Sequence, residues 1–233
     1  MTLKTKMLTP QAMLSAPRRS PGVPNLEATK VLYTVSTYSF ETHRKTTEFR
    51  CIDTESKEST VITNEEGISD FVWLEGEEHK YACLRSGKKG STEVIVGSVA
   101  KGSSWKNAKV AAQIDGPTSN LKVARLGDGA YALVFSAQAH SDGSLYNPEA
   151  APKLQSDGRL YKSLFVRHWD HYVGSERNTL WYGILKKSKQ GEWALTEPIN
   201  ALKDTGLESP APPFGGTDHF DVSSRRVTSD VMY

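Results

Sequence analysis

The chain has 233 residues, 37% of them hydrophobic and 24% charged, and its 29 lysines and arginines stand against 27 aspartates and glutamates for a formal charge of +2. This balance supplies no field that would draw in nucleic acid or an anionic membrane, and the length suits one large or two small globular domains. No apolar run approaches the ~20 residues that cross a bilayer.

Residues 1–22 read as an amino-terminal arm. It opens "MTLKTKMLTPQAMLSAPRRS", with early lysines and no apolar stretch behind them, so it is not a secretory leader. On that basis the chain as written is expected to be cytoplasmic or a shortened product. From residue 23 onward a repeat of about fifty residues takes over. "KVLYTVS" ends at Ser36, "KYACLRS" at Ser86 and "AYALVFS" at Ser136, and each run follows a polar turn. A second β-rich run follows in each unit: "TTEFRCID" (46–53), "STEVIVGSV" (91–99) and "TLWYGILK" (179–186). A closing strand is expected at "STVIT" (59–63), "AKVAAQI" (108–114) and "WALTEPI" (193–199), and a leading strand at "DFVWL" (70–74) and "NLKVARL" (120–126). β-Branched and aromatic residues bounded by Gly, Asn, Asp and Ser argue strand and turn throughout.

Four short strands per repeat of this length is the pattern of a β-propeller blade; an immunoglobulin-like sandwich is the rival, but it does not predict a fixed interval. The expected fold is therefore all-β: an incomplete propeller spanning residues 23–233. Its blades are placed at about 23–66, 67–117 and 118–202, the third carrying a long insertion at 137–178, with a truncated blade at 217–233. Three blades and a fraction do not close a ring, so exposed blade edges are expected to drive self-association. Cys51 and Cys83 are too few for a disulfide framework or an unaided zinc site, and each lies in an apolar run where a buried thiol is expected.

The insertion holds the most concentrated chemistry, "SLFVRHWDHYV" (163–173). His168 and His171 are three residues apart with no accompanying glutamate, unlike the His-Glu-x-x-His of zinc hydrolases, so no metal is expected. The structural alternative has Arg167 and Asp170 tie the insertion to a neighbouring blade while Phe165 and Trp169 bury against it. Periodicity does not decide whether this stretch is helix or strand.

Several segments resemble the amino-terminal half of fungal dipeptidyl-peptidase V, of the prolyl oligopeptidase superfamily of serine peptidases. They are "LSAPRRSPGVPN" (14–25), "YTVSTYSFETHRKTTEFR" (33–50), "YNPEAAPK" (146–153), "GRLYKSLFVRHWDHYV" (158–173), "NTLWYGIL" (178–185) and "PAPPFGGTDHFDVS" (210–223). The resemblance implies a secreted enzyme in two parts, a propeller that restricts access and an α/β-hydrolase domain with Ser, Asp and His, releasing dipeptides from peptide amino termini without a cofactor. It implies peptide substrates as partners, with no nucleic acid and no membrane. This chain departs from it in lacking both a leader and any Gly-x-Ser-x-Gly nucleophile elbow. It is therefore expected to have no catalytic residue of its own.

Capture of a free amino terminus calls for a carboxylate. Glu149, in the proline-flanked insertion, is the leading candidate, with Arg167, Trp169 and Asp170 as further substrate-side candidates. The pair Glu65–Glu66 falls in a connection between units, where a solvated role is the default. The alternative function is a non-catalytic propeller-type module that binds peptides or another protein.

Overall fold

The computed structural model describes residues 8–127, 129–152, 156, 158, 160–162, 166–169 and 171–223. They fall into two compact units, one from residues up to 66 together with 101–106, the other from 67–100 together with the chain from 107. The architecture is all-β, built on antiparallel meanders. Among the described residues no helix is long and apolar enough to cross a membrane.

In the first unit a short helix, α1 (Pro10–Ser15), is capped by Thr9, whose hydroxyl accepts from the Ala12 amide at 3.1 Å. The arm then contributes β1 (Arg18–Arg19) and β2 (Val23–Pro24), both paired to β3 (Lys30–Ser39). β3 pairs in full register with β4 (Arg44–Asp53), and β4 with β5 (Ser59–Thr63). The break between β1 and β2 at Ser20-Pro21-Gly22 has a local cause: Pro21 has no donor, and a Cβ on Gly22 would lie 2.6 Å from Val31. The Ser20 hydroxyl instead accepts from the Thr34 amide at 3.0 Å.

In the second unit β6 (Ile68–Trp73), β7 (Lys80–Ser86), β8 (Thr92–Ser98) and β9 (Lys109–Ile114) form one four-stranded meander. β10 (Thr118–Gly127) and β11 (Ala130–Ala139) begin the next. Residues 140–176 intervene, carrying a two-stranded hairpin of β12 (Arg167–His168) and β13 (His171–Tyr172), and β14 (Arg177–Lys187) then completes the pairing with β11. Within the undecided stretch, Arg167–His168 and His171–Tyr172 are thus extended, not helical. The expected closing strand at 193–199 is two pieces along β14, β15 (Trp193–Leu195) and β16 (Ile199–Asn200). Pro198 removes a ladder donor between them. Of the truncated blade expected at 217–233, residues 217–223 form no strand, and Thr217–His219 make a single 3₁₀ turn. That segment is held by side chains: Lys122 donates to the Phe220 carbonyl and pairs with Asp221, and the Ala211 amide donates to His219 Nδ1.

The core of this unit lies where its two large sheets pack face to face. Alternation selects Ala82, Leu84, Val94 and Val96 from one sheet and Tyr131, Leu133, Phe135, Trp181 and Leu185 from the other. The sheet β6–β9 is buried on both faces, since Tyr81, Cys83 and Ile95 on its opposite side are also inaccessible. Cys51 and Cys83 are both buried and make no disulfide, as the sequence suggested.

Candidate functional site

One irregularity recurs at the fifty-residue interval and builds a polar site in the second unit. β6 carries a bulge between Ser69 and Val72, and β10 carries the same bulge between Ser119 and Lys122. At the heart of each lies a residue with positive φ, Asp70 at 52° and Asn120 at 59°, side chains that tolerate this region because they bond locally. Asp70 Oδ2 accepts from the Asn120 amide at 2.8 Å, joining the two bulges. Burial pushes the Asp70 carboxyl above its ordinary range, although the amides of Asn120 and Leu121 and the Ser69 hydroxyl pull it down.

The bulge turns Asn120 across β11. Its amide donates to Ser136 Oγ at 2.8 Å, and Ser136 donates to the Ser119 carbonyl at 3.1 Å. Beside this network lies a cavity of about 480 Å³, lined by Thr118, Ser119, Asn120, Ser136, Gln138 and Asn178 with Tyr146, Pro148, Pro210 and Gly215. The Thr118 hydroxyl is buried and has no hydrogen-bond partner among the described residues. Among the described residues no charged side chain lines the cavity. Neutral hydroxyl and amide groups between proline and tyrosine rings suit main-chain amides of an extended peptide. They do not suit acyl transfer, because neither Ser119 nor Ser136 has a histidine base. The described residues hold no cluster of three metal-ligating side chains.

The insertion forms one wall. The Tyr146 amide donates to the Gln138 carbonyl at 2.8 Å, and Asn147 Nδ2 to the Lys89 carbonyl at 2.9 Å. Close approach at Gly116, where a Cβ would lie 3.0 Å from Leu145 and the Tyr146 carbonyl, lets this loop seat. Glu149 stands one residue beyond Pro148, its amide bonded to Asn147 Oδ1 at 3.0 Å; its side chain is exposed and does not line the cavity. The opposite wall comes from 208–215, anchored by Asn178: its amide donates to Glu208 Oε1 at 3.1 Å and its Nδ2 to the Pro210 carbonyl at 3.0 Å.

Of the other candidates, Arg167 is exposed on β12. Trp169, at the hairpin turn, is 78% exposed rather than buried, and meets Phe214 edge to face at 5.8 Å. The expected packing of Trp169 into a neighbouring sheet is therefore replaced by an exposed ring contact next to Gly215 on the cavity rim. Trp169 itself has a positive φ of 49°. Asp170 and Phe165 lie outside the described residues, as do the side chains of His168 and His171. Glu65, in the first unit, accepts from Trp105 Nε1 at 2.6 Å, a structural contact. Sequence reasoning did not single out Asn120, Gln138 or Asn178. The signal for one of them was present, because the leading strands were read as opening at Asp70 and Asn120, fifty residues apart.

The fold of antiparallel meanders resembles part of solved peptidase structures. Over 81% of the chain it superimposes on 26% of the Pyrococcus horikoshii acylaminoacyl peptidase, with a TM-score of 0.50 at 11% identity. An acylaminoacyl peptidase bound to Z-Gly-Gly-Phe-chloromethyl ketone is matched over the same shares, with a TM-score of 0.51 at 14% identity. No protein-family profile matches the chain. Its sequence is 34% identical over 221 residues to the probable dipeptidyl-peptidase 5 of Aspergillus terreus and 33% identical over 222 residues to the dipeptidyl-peptidase 5 of Aspergillus fumigatus. Both alignments cover 93% of this chain and 30% of the relative. The chain is thus a homologue of the fungal dipeptidyl-peptidases 5, as its motifs suggested, and it spans about 30% of the length of the relatives it matches.

Proposed function

We propose that the chain is the substrate-gating portion of a dipeptidyl-peptidase 5-like serine peptidase, folded as about three blades of a β-propeller. The observation that carries this reading is homology along 93% of the chain to dipeptidyl-peptidases 5 of which it spans 30%. The fifty-residue repeat and the four-stranded meanders, two of which pack face to face in the second unit, fit propeller blades. The other face of the third sheet fits it too. There Val134, Tyr182 and Ile184 form an apolar surface that is half-buried or exposed among the described residues, as a blade awaiting its neighbour would present.

In this reading an unfolded peptide threads past the neutral cavity, which holds its main chain, and Glu149 meets the free ammonium. Hydrolysis belongs to the Ser, Asp and His of the full enzyme, because these 233 residues contain no Gly-x-Ser-x-Gly segment. A non-catalytic peptide-binding module is the second reading, favoured by the wholly uncharged lining of the cavity. Fluorescence anisotropy of a labelled heptapeptide with a free amino terminus tests both. Binding is expected, weakened about tenfold by acetylating the amino terminus or by Glu149→Gln, in line with the loss of one charge-assisted contact. Equal binding of free and acetylated peptides would remove the gating role and leave the module; no binding would remove both.

A further inference from the structure

A second cavity, of about 600 Å³, lies wholly within the first unit and has the opposite character. Strand register explains its composition. Side chains of directly opposed residues share a sheet face, and so do residues two apart along a strand. Arg18 opposes Ser36, and Lys45 opposes Tyr38, so the guanidinium and the ammonium flank one face of β3 two residues apart. Arg19, Ser20 and Thr34 also line the cavity, with Leu14, Tyr38 and Phe40 supplying apolar surface. Tyr38 and Phe40 hold each other edge to face at 5.1 Å, and the Tyr38 hydroxyl is engaged with His43 Nδ1 at 3.2 Å. Ser36 is likewise engaged, with Thr47 at 3.0 Å.

The charges are the telling feature. Among the described residues no aspartate or glutamate lines the cavity, and Arg18 and Lys45 have no acidic partner. Arg19 opposes Val35 and so belongs to the other face, which also carries Glu48, itself paired with Arg50 at 2.8 Å. The register therefore places two cations, Arg18 and Lys45, on one concave surface. Like charges repel unless an anion joins them, and an apolar floor beside them is best used by an anion with an apolar body.

We infer that this cavity binds a carboxylate carried next to an apolar group. Arg18 and Lys45 take the carboxylate, and Leu14, Tyr38 and Phe40 take the apolar part. This holds whether or not the polar cavity of the second unit gates a peptidase. Two sources share the chemistry, the carboxyl terminus of a peptide ending in an apolar residue and a free medium-chain fatty acid.

The test is titration calorimetry on the whole chain with N-acetyl-leucyl-phenylalanine, its carboxamide and octanoate. Binding of the free acid, of octanoate or of both is expected, and the binders name the source. For the peptide, the amide is expected to bind at least about tenfold more weakly than the acid, since it loses a charge-assisted bidentate contact. Arg18→Gln and Lys45→Gln are each expected to weaken the bound acid by about tenfold, with unchanged circular dichroism. The inference is overturned if neither acid binds, if acid and amide bind alike, or if the folded variants bind as the parent does. The acid-to-amide comparison on the unaltered chain decides the matter even where a variant fails to fold.

Discussion

Asp70 shows how one residue links the repeat to the site. Its carboxylate satisfies the Asn120 amide where both strands bulge, yet burial holds its pKa above the ordinary aspartate range. The folded state therefore binds this proton more tightly than the unfolded chain does. Stability contributed by Asp70 falls as pH rises from the ordinary aspartate value through the raised one, so at neutral pH the buried charge is a net cost. Asp70→Asn keeps an acceptor for Asn120 and removes the charge. Urea midpoints of parent and variant are expected to converge near about pH 4 and to separate in favour of the variant by pH 7, given an ordinary aspartate pKa of about 3.9. A parent that gains on the variant as pH rises would contradict this account. The cysteines give a second test. Cys83 is inaccessible, and burial raises the thiol pKa of Cys51, so both are expected to resist a disulfide-exchange reagent in the native chain and to react together on unfolding.

At the scale of the element, stability rests on side chains that alternate into the interface between the two large sheets of the second unit. Phe135, fully buried there, is expected to cost about 3–5 kcal/mol as Phe135→Ala, while Val134→Ala on the other face costs about 1 kcal/mol or less. Chemical denaturation measures both, and equal losses would mean that the faces have been misassigned. Most strands were legible because β-branched and aromatic runs recur at a fixed interval; "STVIT" and "KYACLRS" match β5 and β7 end to end. Ladder pairing then extends strands past their apolar stretch, as β3 runs three residues beyond Ser36 to pair with the polar start of β4. Pro198 broke a strand that composition alone made continuous. The candidate site was less legible. Glu149 was chosen for its charge and loop, and the structure places it beside the cavity wall, whereas Asn178 enters the lining through a register and a returning segment that no local pattern announces. Bulges depend on pairing partners, so Asn120 looked like an ordinary strand opening.

For the whole molecule, the apolar outer face of the third sheet carries the next expectation. With Val134, Tyr182 and Ile184 available among the described residues, the purified chain is expected to self-associate with rising concentration in sedimentation equilibrium. Tyr182→Glu together with Ile184→Glu is expected to shift it toward monomer, and a parent that stays monomeric up to about millimolar concentration would show that this face is not adhesive. The proposed division of labour is the larger claim, that these residues shape and hold a peptide while another part of the enzyme breaks the bond. Release of dipeptide from a dipeptidyl-p-nitroanilide by the purified 233-residue chain measures it most directly. The account predicts a rate no greater than the buffer blank at any protein concentration. A rate that rises in proportion to the chain, and stops when a serine-directed inhibitor is added, would contradict it.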